Sequence, residues 1–301
     1  MTISKIYKKK CNSKLNLYLH ILDKKKNGFH NLETLFIPID WYDEIIIQSI
    51  ETDRILRKGD LSELKDKDLC FKAAKALKTL RAVKTGCEIT LRKNIPSGAG
   101  LGGGSSNAAS TLIILDKLWN LNLSKEELIG IGGKIGADIP FFLQKKPCFG
   151  SGIGTELRPT QKFTLFPKFF VLLVPDIKVD TGLIFGNFRF YRNERLKSKY
   201  SSEAFIKEEV GFWVYGRNDL EETTCRIFPK MTFFRETLRS SAKSLKIPPE
   251  ACRMSGSGST LFCSVPTSSL ALDLEQSLRE KLNGQSKVDF TIRICELIMT
   301  S

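Results

Sequence analysis

Apolar and polar positions alternate over Leu15-Asn-Leu-Tyr-Leu-His-Ile21, which predicts a half-buried strand carrying His20 on its polar face. Asn27-Gly28 marks a hairpin turn, and Leu32–Pro38 and Asp43–Ser49 continue the sheet. From Cys70 to Arg81 the apolar spacing becomes helical, with Phe71, Ala74 and Leu77 on one face. Cys87–Leu91 reads as a strand that feeds a glycine-rich run, and Ser105–Leu118 as the helix leaving it. Ser124 and Glu127 form a capping box for a helix over Glu126–Ile135, which Gly136 ends. Cys148–Leu157 reads as one strand bulged at its glycines. The second half opens on a buried strand, Phe169–Val174, closed by Pro175. Helices follow near Ser202–Tyr215, Leu220–Ile227 and Met231–Ser244. Then come a strand around Arg253, a glycine turn, a strand over Thr260–Val265, a helix from Leu270 to Leu282 and a last strand, Asp289–Cys295. That order suits an α+β architecture whose second half is of ferredoxin type.

Most of the chemistry is concentrated between the strand and the helix of the first half. Residues 96–106 read Pro-Ser-Gly-Ala-Gly-Leu-Gly-Gly-Gly-Ser-Ser. Glycines allow positive φ and close approach of a ligand to backbone amides. The helix that follows points its unpaired N–H groups and the positive end of its dipole into the loop. A phosphate is the expected guest. A Walker A loop is excluded because Gly104 is followed by Ser105 and Ser106 rather than by Lys. Gly98-x-Gly100-x-x-Gly103 matches a dinucleotide fingerprint only formally. A second helix stands where that fold needs an acid-bearing strand.

The third spelling, Pro-x-Gly-x-Gly-Leu-Gly-Gly-Gly-Ser-Ser, resembles the ATP loop of the GHMP small-molecule kinases. Further motifs follow in that family's order: Lys14-Leu-Asn16-Leu, Asn27-Gly-Phe-His30-Asn-Leu-Glu-Thr-Leu-Phe36, Gly136-Ala-Asp138-Ile-Pro140-Phe-Phe142, Gly152-Ile-Gly154, Asn218-Asp-Leu-Glu221 and Arg253-Met-Ser-Gly-Ser-Gly258. The stretch from about Phe188 to Gly211 carries no motif. The resemblance implies a two-domain fold, residues 1–160 similar to a ribosomal-protein domain and 161–301 ferredoxin-like, with the active site in a cleft between them.

It further implies a cradle for ATP made of Pro96, Ser97, Gly98, Ala99, Gly100, Leu101, Gly102, Gly103, Gly104, Ser105 and Ser106. Magnesium would bridge phosphate oxygens with few protein ligands; none is firmly assigned, and Ser105 or Ser106 is the candidate. Asp138, which by local sequence alone is an N-cap, becomes the base that accepts the proton of the substrate hydroxyl. Lys14, otherwise one lysine among many, would orient that hydroxyl, and Asn16 would hold the substrate.

Gly-Phe-His-Asn-Leu points to the branch acting on a cytidine diphosphate conjugate of methylerythritol. The implied reaction is ATP-dependent phosphorylation of its 2-hydroxyl in non-mevalonate isoprenoid synthesis. Homoserine and mevalonate-type kinases are the alternatives within the family. Phe29 and Phe185 would clamp the cytosine while His30 reads its polar edge; Thr181 and the turn Gly256, Ser257, Gly258 would touch substrate. From the residues alone, Phe185 could equally be core. The family's usual Tyr is Phe29 here, and its usual Asn before the first helix is Asp68, which puts an adenine contact in doubt.

Composition limits the remaining options. With 301 residues, 42% hydrophobic and 27% charged, the chain has the make-up of an ordinary globular enzyme. No apolar run approaches the ~18 residues of a membrane span, and no signal peptide is visible. Eight cysteines without a Cys-x-x-Cys pair speak against structural zinc and for reduced thiols in the cytoplasm. The net charge of +14 is spread from Lys5 to Arg293, which reads as a solvated basic surface. A basic nucleic-acid-binding module is the reading from another class, but no aromatic-rich RNA motif supports it. The partners expected are thus ATP and the small-molecule conjugate, with no nucleic acid and no membrane.

Overall fold

The computed structural model describes residues 5–160, 166–189 and 216–298. The helix expected over 202–215 lies outside them. Contacts divide the chain into two compact units, and neither is a continuous segment. One is Met1–Ser13, Trp41–Ser97 and Gly102–Lys146; the other is Lys14–Asp40, Gly98–Leu101 and Pro147–Ser301. Two long paired strands, β1 (Ile6–Lys24) and β2 (His30–Ile50), contribute residues to both.

In the first unit the later half of β2 pairs antiparallel with β4 (Gly86–Arg92). A short strand absent from the sequence reading, β3 (Ile55–Gly59), pairs parallel with β4. Ile45, Ile47 and Ile89 are fully buried against Ala73, Ala74 and Leu77 of α1 (Leu69–Leu80) and Leu112 and Leu115 of α2 (Gly103–Leu118). The helical spacing of the apolar residues therefore decides which face packs on the sheet. Helix α3 (Lys125–Ile135) begins at the expected Ser124–Glu127 capping box, and α4 (Ile139–Gln144) follows at once.

In the second unit the early half of β2 pairs with β5 (Cys148–Ser151), which pairs with β6 (Glu156–Pro159). The single bulged strand expected over 148–157 is thus a hairpin. Gly152 and Gly154 adopt φ of +64° and +95°, which turns the chain back on itself instead of kinking it. Helix α5 (Thr181–Asn187), also unforeseen, starts from the Asp180 side chain, which accepts the Leu183 N–H. A four-stranded antiparallel sheet has the order β10 (Phe290–Glu296), β7 (Phe169–Pro175), β9 (Leu261–Val265), β8 (Cys252–Met254). With α6 (Glu221–Ile227), α7 (Lys230–Ser244) and α8 (Ser268–Leu282) this is the expected ferredoxin-type arrangement.

The segment read as half-buried, Leu15–Ile21, is buried on both sides. Period-two alternation assigns its polar residues to solvent, but Asn16 and His20 find partners inside the fold, while the Tyr18 hydroxyl and His20 Nδ1 are buried without one among the described residues. Asn16 Nδ2 donates to Thr34 Oγ1 at 2.7 Å, and His20 Nε2 accepts the Arg217 N–H at 3.3 Å. His20 is therefore a buried, neutral imidazole with its pKa pushed down to about 4, chiefly by burial.

Candidate active site

The glycine run forms a loop in which Gly98, Gly100 and Gly102 all have φ near +70° (70°, 76° and 69°). Alternating left-handed residues turn successive backbone N–H groups toward one concavity, a geometry suited to an anion. In the first unit, Gly102 caps α2 without any side-chain hydrogen bond, so the first-turn amides of this 16-residue helix are left for a ligand or solvent. A Cβ on Gly103 would lie 3.1 Å from both Ile95 Cγ2 and Lys93 Nζ, which explains why the helix can start so close to the incoming chain. The base of the loop is closed by Asp43, whose side chain is fully buried. Its carboxylate accepts the N–H groups of Asn94 (2.7 Å) and Ile95 (2.8 Å) and Asn107 Nδ2 (2.9 Å), and it pairs with the Lys93 ammonium. Both flanks of the loop are thus tied to one anion.

Asp138 stands at the N-cap of α4, ahead of Pro140, but its side chain makes no capping hydrogen bond. It thus occupies the cap position that local sequence suggests, without the side-chain hydrogen bond of a cap. Ser106 is buried, and Ser105 Oγ lies 3.9 Å from where a Cβ on Gly136 would stand, next to the Gly136-Ala-Asp138 segment. Among the described residues no cluster of three His, Cys, Asp or Glu could hold a metal ion. Asp68 accepts the Phe71 N–H at 2.9 Å as the N-cap of α1, and its other oxygen takes the Arg57 guanidinium at 2.7 Å. Both oxygens are therefore committed within the fold.

In the second unit, Lys14 is buried, donates its N–H to Leu101 O at 3.0 Å and directs its ammonium onto Asn16 Oδ1 at 2.5 Å. The Asn16 N–H donates to Ser255 Oγ (3.2 Å), and that hydroxyl donates to Gly100 O (3.1 Å). A Cβ on Gly256 would lie 3.3 Å from Asn16 Oδ1, 3.5 Å from Lys14 Nζ and 3.6 Å from Gly100 O. Lys14, Asn16, the tip of the glycine loop and the second glycine turn therefore converge. Thr181 joins them through its hydroxyl, 2.9 Å from Ser257 Oγ. Gly258, with φ +90°, closes the turn back to Ser255 O through its N–H.

The residues expected around the base divide between buried and exposed positions. His30 is buried against Phe185, with ring centroids 5.6 Å apart and a 35° tilt. Phe29 stays on the Asn27-Gly28 turn with 59% of its surface exposed, and its ring meets no other ring among the described residues. Burial, and then Lys24, hold the His30 imidazole below the usual histidine pKa. A neutral imidazole offers one donor and one acceptor, as base recognition requires.

Residues 68–146 match the family described as GHMP kinases N terminal domain. A 4-diphosphocytidyl-2-C-methyl-D-erythritol kinase from Methylibium petroleiphilum is 36% identical over 267 residues, 89% of this chain and 88% of that protein. One from Chloroherpeton thalassium is 37% identical over 83% of this chain and 86% of its own length. This chain belongs to the 4-diphosphocytidyl-2-C-methyl-D-erythritol kinase family. A crystal structure bearing that enzyme's name superposes with a TM-score of 0.74 at 27% identity, over 96% of this chain and 99% of that one. A mevalonate kinase, at 15% identity and a TM-score of 0.64, shares the fold alone.

Within this member of the 4-diphosphocytidyl-2-C-methyl-D-erythritol kinase family, several positioning groups carried no role in the sequence reading. Asn218 Nδ2 donates to Met254 O (2.7 Å) and Gly256 O (2.6 Å), and Thr224 Oγ1 donates to Ser257 O (3.1 Å), so α6 and the segment leading into it fix the second glycine turn. The Asn218-Asp-Leu-Glu221 motif was the available signal. For Asp43 there was none, since an acid near the middle of a long strand reads as a solvent-facing position.

Proposed function

We propose that this protein transfers a phosphoryl group from ATP to the 2-hydroxyl of 4-diphosphocytidyl-2-C-methyl-D-erythritol. The observation that carries the reading is kinship at about 36% identity over nearly nine-tenths of the chain with enzymes of that name. The loop supports it, because left-handed Gly98, Gly100 and Gly102 and an α2 start without a side-chain cap offer backbone amides to a phosphate. When bound, ATP supplies the phosphoryl group and magnesium neutralises charge on its phosphates. The residues fit that guest: amides of Gly98–Gly104 and the α2 N-terminus for phosphate oxygens, and the hydroxyls of Ser105 or Ser106 for the metal, whose other ligands would be phosphate and water.

Asp138 accepts the proton of the attacking hydroxyl from its place between Gly136-Ala137 and Pro140 at the start of α4. Lys14 orients that hydroxyl and favours its developing negative charge. Asn16, held by Thr34 and Ser255, grips the substrate alongside Thr181, Gly256, Ser257 and Gly258. His30 reads the polar edge of cytosine while Phe185, and Phe29 from the exposed turn, supply stacking surface. Eight free, buried cysteines favour a reducing, cytoplasmic setting.

The test is an ATP-dependent phosphorylation assay with four acceptors: the cytidine conjugate, its uridine counterpart, homoserine and mevalonate. Cytosine and uracil reverse donor and acceptor at two positions, and each buried mismatch costs ~1–3 kcal/mol, so the cytidine conjugate should be favoured by ~10²-fold or more. Comparable kcat/KM for the two conjugates overturns the base-pocket assignment. Comparable turnover of homoserine or mevalonate overturns the choice of substrate.

A further inference from the structure

Base selectivity needs an imidazole that presents the same ring edge at every encounter. A ring that rotates about its own axis exchanges nitrogen for carbon positions and loses the distinction between donor and acceptor. One neighbouring ring lying roughly parallel opposes such a rotation from one face of the imidazole only. His30 has a second neighbour. The ring of Phe188 stands edge-on to it, with centroids 5.9 Å apart and planes at 89°, while Phe185 lies at 35°.

Two rings at such different angles restrict both side-chain torsions of the histidine. Phe188 is itself held. It caps the C-terminus of α5, its N–H donates to Phe185 O at 3.4 Å, and its ring packs on the core of the second unit. Its other surroundings include a polar cavity of about 440 Å³ that it lines with Ile21, Arg217 and Asp219. Phe188 thus meets both His30 and that cavity. Phe188 lies at the edge of the stretch in which the sequence carries no motif.

From this geometry we infer that Phe188 is a positioning residue for base recognition: it fixes the orientation of His30 and thereby the preference for cytosine over uracil. The inference rests on the reading of His30 and Phe185 as the base pocket. Phe188 acts through His30, so its loss lowers discrimination more than it lowers general affinity. Truncating the stacking ring of Phe185 should instead weaken both conjugates together, because stacking is nearly blind to base identity.

The experiment compares kcat/KM for the cytidine and uridine conjugates in wild type, Phe188→Ala, Phe188→Leu, Phe188→Tyr and Phe185→Ala. The cytidine-to-uridine ratio should fall ~3- to 10-fold in Phe188→Ala and Phe188→Leu, the range one aromatic pair supports. It should be retained in Phe188→Tyr, which keeps the ring, whereas Phe185→Ala, which removes the stacking face, should weaken both conjugates. Should Phe188→Ala fail to fold, Phe188→Leu, which keeps apolar bulk without a ring, decides the matter. An unchanged ratio in the folded Phe188 variants, with both conjugates weakened equally, overturns this inference and leaves the base pocket standing. A wild-type enzyme with no preference between conjugates overturns the base pocket, and the role of Phe188 with it.

Discussion

Adding one methyl group to the glycine loop at two positions separates backbone strain from close packing. Gly98 and Gly100 have nearly the same left-handed conformation, with φ of +70° and +76°. An alanine in that region is disfavoured by ~1–2 kcal/mol, and both variants incur that cost. Their surroundings differ. A Cβ on Gly98 has only Val179 O nearby, at 4.0 Å. On Gly100 it would lie 2.3 Å from Ser255 O and 3.0 Å from Gly258 O. Those carbonyls cannot easily yield, since Ser255 O accepts the Gly258 N–H and Asn218 grips the same turn through Gly256 O. Overpacking against fixed backbone adds ~1–3 kcal/mol. Gly98→Ala should therefore lose ~1–2 kcal/mol, and Gly100→Ala ~2–5 kcal/mol. At 2–4 °C per kcal/mol for a chain of this size, the second should melt at least ~4 °C lower than wild type. It should also bind a non-hydrolysable ATP analogue more weakly, because the loop must leave the second glycine turn. Differential scanning calorimetry and titration calorimetry read the two effects. Equal, mild losses in both variants would refute the claim that the two glycine segments are in close contact.

Three further perturbations probe separate groups. Asp138→Asn should keep affinity for ATP while kcat falls by ~10²–10⁴, and a variant retaining half of wild-type turnover removes Asp138 from the mechanism. Asp43→Ala leaves the Lys93 ammonium without its buried partner and the loop base open, which should destabilise the fold by ~3–5 kcal/mol in urea titrations; a loss under 1 kcal/mol refutes the clasp. His20 is neutral when folded, pushed down to about 4 by burial with help from Arg217 and Arg253 against Asp219, and near 6.5 when unfolded. Its contribution is complete above about pH 6.5 and is lost as pH falls toward 4, about 2 kcal/mol of it by pH 5. His20→Gln should flatten that acid limb in urea titrations across pH 5–8, and identical profiles refute it.

Much of this was legible because local chemistry enforced it. The capping box at Ser124–Glu127 and the glycine loop opening α2 are short-range devices, and short-range devices are written in consecutive residues. Misreadings arose where a local rule has two outcomes. Glycines at positions 152 and 154 are compatible with a bulge or with a reversal, and only pairing of β5 with β6 selects the reversal. Alternation in β1 reports which residues are polar, not whether another segment arrives to satisfy them, so Asn16 and His20 looked solvent-facing while being buried. The site divides along the same line. His30 was legible from its motif, whereas Phe188 acquires meaning only from an angle between rings, and Asp43 only from four donors up to 64 positions away.

The interleaving of the two units constrains how this protein can be cut or rebuilt. The chain passes from one unit to the other after Ser13, Asp40, Ser97, Leu101 and Lys146. A nuclease or a recombination event that severs the gene once cannot separate them, because wherever the cut falls at least one of the two resulting polypeptides carries pieces of both. Cleavage after Lys146, the last crossing, leaves an amino-terminal fragment that contains all of one unit together with two orphaned segments of the other, Lys14–Asp40 and Gly98–Leu101. The carboxy-terminal fragment would then lack Lys14, Asn16 and the Gly98–Leu101 segment that belong to its own unit. Exchange of halves between related enzymes is therefore expected to fail unless those segments travel with their partner, and the inheritable module is the entire polypeptide.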